Sequence, residues 1–359
     1  MSHALIAGTV FVIAAAVSTG AMRPILAFAQ RFSLFDMPEA RRVHTVPIPR
    51  IGGLAIYFGF IIAIAISFML PVLRFAEEIE RILLLIVAAT LVVAVMLFDD
   101  VFGVPPIPKL LFQIAAAGIV VFPRVRNEQA GIVIETFNVP FIDTVELPLT
   151  IAILFTLFWI VGMMNAVNWA DGLDGLAGSV TLIAAVILFL HTYFRPPGDP
   201  QFTISLLAIA LAGAIVGFLP WNWHPARIIM GDTGAMFLGF ALATISVVGG
   251  AKIATALLAL GVPILDMAWV ILYRVINGRS PLYADRGHLH HRLLDAGLSQ
   301  TQIVAVFAML TAVFGTFALA LPTREMKLFA MLGMGAVVLA LVAALARRKS
   351  SGNEIDEIA

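Results

Sequence analysis

Long apolar runs separated by short polar segments make up most of the chain. Their lengths are close to the roughly 20 residues that an α-helix needs to cross a bilayer. The pattern predicts an all-α polytopic membrane protein with about eleven transmembrane helices (10–11). The predicted spans are residues 4–22, 51–72, 81–98, 109–123, 149–167, 174–194, 202–219, 232–248, 253–273, 301–320 and 327–346.

The first run, residues 4–22, could imitate a secretory signal, but no basic region precedes it and no clear cleavage site follows. We therefore expect it to be retained as the first span. Residues 347–359 would form a short cytoplasmic tail, and residues 1–359 would form a single integral membrane domain.

One segment departs from the helical pattern. Residues 131–148 contain two β-branched stretches around Asn138-Val139-Pro140. Such stretches on either side of turn residues are typical of a β-hairpin. We expect a small hairpin outside the bilayer, on the extracytoplasmic side.

Composition agrees with a membrane environment. Hydrophobic residues make up 61% of the 359 residues, charged residues 12%, and the mean hydropathy is +1.02. A soluble domain is nearer half apolar and a quarter charged. The chain has no cysteine, which excludes a disulfide framework, a thiol nucleophile and a thiolate metal site.

The basic residues predict the orientation. If the N-terminus lies outside, 14 of the 22 Lys and Arg residues fall on the inner side and 8 on the outer side. Cytoplasmic loops carry the excess of Lys and Arg. The count therefore favours an outer N-terminus and a cytoplasmic C-terminus, which we expect in a bacterial inner membrane.

With this orientation, the loops of unusual polar composition share the cytoplasmic side. Ordinary solvated loops are not this rich in Asp, His, Asn and Gly, and residues that bind or react are common on loops. We expect one cytoplasmic site assembled from five segments. They are residues 41–53, 99–109, 165–178, 221–234 and 285–297.

The chemistry of these segments suits phosphates and a divalent cation. Carboxylate and amide oxygens are ligands for Mg²⁺, which commonly takes one or two protein ligands plus substrate phosphates. Cationic side chains and histidines bind phosphates. The oxygen donors are Asp99, Asp100, Asp171, Asp174, Asp232, Asn165 and Asn168. The cationic and imidazole groups are His44, Arg50, Lys109, His288, His290, His291 and Arg292.

Each motif also has a structural interpretation. Asp99 and Asp100 could merely end a helix at the interface, and Asp171 and Asp174 could be acids favoured at a helix start. Asp232 could be the N-cap of its helix. The three histidines could form a structural cluster.

Asp266 stands inside an apolar run, GVPILDMAWVILYR. It could line a groove for the lipid phosphate, or it could pair with Arg274 near the interface. The sequence slightly favours the pair with Arg274.

Four motifs in chain order carry a family resemblance: FDDVFGVPPIPKLLFQ, NAVNWADGLDGLAG, PARIIMGDTGAMFLGF and DRGHLHHRLL. Together they resemble the polyprenyl-phosphate N-acetylhexosamine-1-phosphate transferase family, over about residues 41–297. The resemblance implies transfer of a sugar 1-phosphate from a UDP-sugar to a polyprenyl phosphate, with release of UMP. Because Leu289 interrupts the histidines, the last motif resembles the GlcNAc-1-phosphate branch more than the MurNAc-pentapeptide branch.

The resemblance also implies roles for single residues. Asp232 and Asn168 would hold Mg²⁺, with Mn²⁺ as a possible substitute, and Asp99, Asp100, Lys109 and Asp171 would be catalytic. The remaining roles are nucleotide binding by Asp174 and Asn222, sugar and diphosphate binding by His288, His290, His291 and Arg292, and a place beside the lipid phosphate for His44 and Arg50. Ile229 replaces an aromatic residue of the translocase branch, so how uracil is held stays open.

We expect membrane lipid and the two substrates as partners, a homodimer as one possible state, and no nucleic acid. A transporter for sugar phosphates or lipid-linked sugars is the alternative from another class. It would place its acids at the bilayer midplane between related halves, whereas here the acids crowd one side. A lipid phosphatase is the enzymatic alternative, and it would need no nucleotide pocket.

Overall fold

The computed structural model describes residues 1–37, 46–127, 130–194, 201–248, 253–280 and 287–356. Fourteen helices and four short strands form this part of the chain. The helices are α1 (His3–Arg31), α2 (Gly53–Ser67), α3 (Ala76–Phe102), α4 (Pro106–Val121), α5 (Pro123–Arg126), α6 (Leu149–Ala170), α7 (Leu176–Tyr193), α8 (Phe202–Asn222), α9 (Gly231–Val248), α10 (Ile253–Ala259), α11 (Gly261–Ile276), α12 (Leu289–Asp295), α13 (Gln300–Ala320) and α14 (Arg324–Asp356).

A helix occupies each of the eleven runs predicted from the sequence. Among the described residues, eight helices are long and apolar enough to cross a membrane, namely α1, α3, α4 with α5, α6, α7, α8, α9 and α13. The predicted span 253–273 is not one straight helix, because α10 and α11 meet at an angle of 82°. The all-α membrane fold is confirmed, whereas the count of eleven spans stays a prediction.

The predicted hairpin is present. Strands β3 (Thr136–Val139) and β4 (Asp143–Glu146) pair antiparallel, with Thr136 opposite Glu146. The turn lies at residues 140–142, so the segment predicted as its centre belongs mostly to β3. A second antiparallel pair, β1 (Phe35–Asp36) and β2 (Ile48–Pro49), was not predicted because strands of two residues have no periodicity to detect.

Helix α9 lies at the centre of the bundle. Every residue from Thr233 to Ser246 is buried, and the helix packs against α2, α3 and α6. A helix that is apolar all round is expected to be enclosed by other helices. Its N-terminus, which begins with Gly231 and Asp232, is therefore held in place from several sides.

Helices α2 and α9 approach so closely that their main chains touch. The amide of Gly52 donates to the carbonyl of Ile229 (3.0 Å), and the amide of Gly53 donates to the carbonyl of Met230 (2.9 Å). A Cβ atom on Gly53 would overlap the backbone of Gly234. Glycine is required here for space, and the contact fixes the segment that leads into Asp232.

This contact predicts the effect of a methyl group. Gly53→Ala should lower the stability by about 1–3 kcal/mol, as expected when a well-packed interior receives an extra group. Gly8→Ala in α1 is the matched control, because nothing lies within 4 Å of the added Cβ. Thermal unfolding of the purified protein in detergent measures both, and equal midpoints for the two variants would show that the α2–α9 contact is loose.

Candidate active site

The first part of the site is the turn between α3 and α4. Helix α3 ends after Phe102, and Gly103 follows with a φ of 72°, which favours glycine. The amide of Val104 donates to Asp99 Oδ1 (2.6 Å), and α4 begins at Pro106. This turn brings Lys109 back to Asp99, with its Nζ 2.8 Å from Asp99 Oδ2.

Asp100 binds the N-terminus of α9. Its Oδ1 accepts from the amide of Asp232 (3.0 Å), and its Oδ2 accepts from the amide (2.9 Å) and hydroxyl (2.6 Å) of Thr233. Arg50 Nε also donates to Oδ1 (3.0 Å). Asp100, from another helix, therefore satisfies the first amides of α9, and the N-cap role weighed for Asp232 is not the one observed.

Asp232 is the centre of the charged cluster. Its carboxylate pairs with Lys109, accepts from Asn168 Nδ2 (3.0 Å), and lies 3.9 Å from Arg50 Nη2. The structure thus brings together Asp99, Lys109, Asn168 and Asp232, which the sequence placed in three separate segments. The Lys109 ammonium lies between the two carboxylates.

Arg50 connects this cluster to the β1–β2 pair. Its guanidinium contacts Asp100 and lies 3.6 Å from Asp36 Oδ1. Burial alone would lower the pKa of Arg50, but the negative charges of Asp100, Asp232 and Asp36 outweigh it and raise the pKa above its ordinary value. Arg50 is therefore a permanent positive charge at the edge of the site. His44, predicted beside it, lies outside the described residues.

The turn between α6 and α7 adds two acids. Asp171 follows α6, half-buried, and its amide donates to the carbonyl of Asn168 (3.1 Å). Asp174 Oδ2 lies 2.7 Å from His224 Nδ1 and accepts from the amide of Ala226 (3.1 Å). Asp174 therefore holds the segment between α8 and α9 against this turn.

Asn222 strengthens the same junction. It is buried, its Oδ1 accepts from the amide of Gly175 (3.1 Å), and its Nδ2 donates to the carbonyl of Ile228 (3.0 Å). Both ends of its amide thus bind main chain. These contacts give Asn222 a structural role. The nucleotide-binding role predicted for it stays a prediction.

Residues 287–292, here named the histidine loop, lie against the turn between α6 and α7. His290 packs against Gly172, where a Cβ atom would collide with its imidazole, and His290 and His291 have ring centroids 4.3 Å apart. His288 meets the ring of Trp169 edge to face at 5.4 Å. Arg292 Nε donates to the carbonyl of Gly287 (2.8 Å). The predicted histidines therefore reach the Asp171-Gly172 turn.

Asp266 pairs with this loop and not with Arg274. Its Oδ2 lies 2.9 Å from His288 Nδ1, and its Oδ1 accepts from the amide of Leu289 (2.7 Å). The favoured pairing with Arg274 was wrong, because eight residues along one helix separate the two by about 12 Å. The Arg274 guanidinium lies over the ring of Trp169 instead, at 5.3 Å.

Sequence reasoning missed some contributors to the site. Thr233 stands inside a quoted motif and His224 inside the segment 221–234, and their polar side chains were the signal that could have found them. Trp169 gave no signal, because an aromatic residue in an apolar helix is typically packing. Asn165, in contrast, was predicted among the oxygen donors; its Nδ2 donates to Gln113 Oε1 (2.7 Å) and to the carbonyl of Val161 (2.8 Å), so it links α6 to α4.

The donor set fits a magnesium ion only with help from a substrate. Among the described residues, no group of three or more His, Asp or Glu side chains could hold a metal ion unaided. Asp99 and Asp232 share the Lys109 ammonium, and Asn168 adds an amide beside them. One or two protein oxygens completed by phosphates is the usual arrangement for Mg²⁺.

Fold and site together define a polytopic membrane protein with an acidic and basic cluster where several helices end. The chain belongs to glycosyl transferase family 4, whose model matches residues 82–250. This confirms the resemblance found in the motifs.

Curated relatives cover most of the chain. A decaprenyl-phosphate N-acetylglucosaminephosphotransferase of Mycobacterium tuberculosis is 32% identical over 92% of this chain and 86% of its own length. A probable undecaprenyl-phosphate N-acetylglucosaminyl 1-phosphate transferase of Bacillus subtilis is 32% identical, over 84% and 80%. A phospho-N-acetylmuramoyl-pentapeptide-transferase of Staphylococcus saprophyticus is 32% identical, over 72% and 80%.

The contacts of Asp100 predict that it matters for folding as well as activity. Asp100→Asn replaces one acceptor oxygen by an NH₂ group, which cannot accept from Thr233 or Arg50. Breaking a buried charged network of this kind should cost about 3–5 kcal/mol, seen as a lower unfolding midpoint. Asp99→Asn is the comparison, because it loses the pair with Lys109 but leaves the amides of Asp232 and Thr233 bound to Asp100. If Asp100→Asn unfolds at no lower a temperature than Asp99→Asn, Asp100 does not hold α9.

Proposed function

We propose that the chain transfers GlcNAc-1-phosphate from UDP-GlcNAc to a polyprenyl phosphate such as undecaprenyl phosphate. The products are polyprenyl-diphosphate-GlcNAc and UMP, and the reaction begins the assembly of a cell-envelope polysaccharide. One observation carries the proposal: Asp99, Lys109, Asn168 and Asp232 form one cluster in a chain whose relatives are named for this transfer.

The transfer would take place on the cytoplasmic side of a bacterial inner membrane. The excess of basic residues on that side supports this orientation. The site segments also lie together, as expected if they share the cytoplasmic face, and this supports the same orientation. UDP-sugars are soluble, whereas the polyprenyl acceptor stays in the bilayer, and a site at the ends of helices is open to both.

Mg²⁺, or Mn²⁺ in its place, would be held by Asp232 and Asn168 together with the diphosphate of the nucleotide sugar. The cation would neutralise charge that develops when the β-phosphate is attacked, since phosphoryl transfer depends mostly on positioning and neutralisation. Lys109 and Arg50 would hold the phosphates in place beside it. Asp171, on the turn between α6 and α7, would be a further catalytic residue.

The substrate would extend along the α6–α7 turn. His288, His290, His291 and Arg292 would bind the sugar and its phosphates, because this loop lies against Gly172. The uridine would lie toward Asp174, at the other end of the turn, where Asn222 fixes the main chain. Ile229 offers no aromatic face to the base.

The donor sugar provides the direct test. Detergent-solubilised protein with Mg²⁺, polyprenyl phosphate and labelled UDP-sugars should label lipid from UDP-GlcNAc. UDP-MurNAc-pentapeptide and other UDP-hexosamines are the alternatives. Asp232→Asn, purified as a folded species, should abolish labelling because it removes the negative charge of a metal ligand. Lipid labelled only from the pentapeptide donor would refute the choice of sugar, and an active Asp232→Asn enzyme would refute the metal assignment.

The role of Asp99 in the mechanism can also be tested. A general base at this position would deprotonate the lipid phosphate before attack. A phosphate monoester has a second pKa of about 6, however, so it is mostly a dianion at neutral pH. Asp99 also already binds Val104 and Lys109. We propose that it positions Lys109 and the incoming phosphate, with base catalysis secondary.

The pH dependence of Asp99→Asn separates the two roles. Positioning predicts a loss of about 100-fold or more that stays nearly constant from about pH 6 to 9, within the usual range for a positioned group. A base role predicts that high pH restores much of the rate, because the lipid then deprotonates unaided. Initial rates across this range, with wild type measured in the same buffers, decide between them.

A further inference from the structure

We propose that Asp266 is a positioning residue for the sugar-phosphate transfer, and that it acts by fixing the ring and the tautomer of His288. The inference rests on the proposed function, which places His288 beside the sugar phosphates. Asp266 and His288 both lie beyond residue 250, where the match to the family model ends.

The first support is the cost of placing a carboxylate in this helix. Asp266 is the only acidic residue of α11, which is otherwise mostly apolar, and it is 6% exposed. Acidic side chains inside membrane helices are rare and usually have a functional partner. A helix that only packed against α6 and α14 would not need one.

The second support is that both oxygens of Asp266 bind the histidine loop. Oδ2 contacts His288 Nδ1 at 2.9 Å, and Oδ1 accepts from the amide of Leu289 at 2.7 Å. A carboxylate is an acceptor, so the Nδ1 of His288 must carry the proton. In a neutral imidazole the other nitrogen, Nε2, then has a free lone pair, and it lies on the side of the ring away from Asp266.

The third support is that the ring has little freedom to turn. His288 is 8% exposed, with the edge of Trp169 at 5.4 Å and the parallel ring of His290 at 5.6 Å. Trp169 follows Asn168, which binds Asp232. The ring that Asp266 orients therefore packs against the residue that follows a member of the charged cluster, so we expect a change in its orientation to alter how the phosphates bind.

A purely structural role for Asp266 predicts that Asp266→Asn keeps nearly wild-type activity. In that variant the amide oxygen can still accept from Leu289, so the loop stays attached. The new NH₂ group faces His288 Nδ1 and can only donate, which forces the proton of a neutral imidazole to Nε2. The variant thus keeps the shape of the site and reverses the tautomer of His288.

The experiment compares Asp266→Asn, His288→Gln and the double variant with Asp143→Asn as control. Asp143 is on the hairpin, exposed, and binds Arg324. We expect Asp266→Asn to lower kcat/KM by about 10–100-fold, the usual effect of losing a partner that orients a binding group. The double variant should be no slower than His288→Gln, and the control should match wild type.

A second readout follows the tautomer itself. Nitrogen-15 spectra of histidine-labelled protein, with the His288 signal assigned by its loss in His288→Gln, should show a protonated Nδ1 in wild type and a protonated Nε2 in Asp266→Asn. Three results would overturn the proposal: wild type with the proton on Nε2, activity of Asp266→Asn within about twofold of wild type, or an additive loss in the double variant.

These readouts also separate this proposal from the proposed function. If wild-type protein transfers no sugar phosphate from any donor, the proposed function fails, and the spectra still decide whether Asp266 sets the tautomer. If Asp266→Asn does not fold, the wild-type spectrum and the Asp266→Glu variant remain. Glu keeps a carboxylate acceptor and should retain the Nδ1-protonated ring, and an Nε2-protonated ring there would count against the assignment.

Discussion

The site depends on the bond between one buried carboxylate and the beginning of one helix. Asp100 accepts from the amides of Asp232 and Thr233, which α9 itself cannot satisfy because its first amides have no carbonyl within the helix. The positive end of the helix dipole favours the negative charge of Asp100. Since Asp100 belongs to α3, the bond also fixes the distance between Asp99 on that helix and Asp232 on α9.

The helical framework could be predicted because lipid leaves the backbone few choices. A segment that crosses a bilayer must satisfy its own amides and carbonyls, so a long apolar run is a helix. Each of the eleven runs accordingly contains one. The break between Ala259 and Gly261 could not be predicted, because the apolar pattern continues across it and its 82° angle depends on what α10 and α11 pack against.

That the polar segments meet could also be predicted, but not the partners of each residue. Asp99, Lys109 and Asp232 were candidates because charge is rare in such a chain, and Asn168 because Asn, Asp and Gly crowd one short segment. Which carboxylate binds which cation is decided by helix packing. Asp100 and Asp232 are 132 residues apart in sequence, and nothing in a local motif reports that one caps the helix of the other. The same reason explains the wrong partner chosen for Asp266.

The close contact of α2 and α9 has a consequence for conformational entropy. Gly52, Gly53 and Gly234 stand where the two helices meet, next to the segment that leads into Asp232, and glycine has no side-chain rotamers to lose when a chain is ordered. This part of the contact therefore cannot rearrange by rotamer changes when a substrate binds. The side chains that do have many rotamers, Arg50 and Lys109, are already immobilised by their carboxylate partners. Their ordering takes place during folding, so a phosphate that enters the site meets cations that no longer have to be ordered.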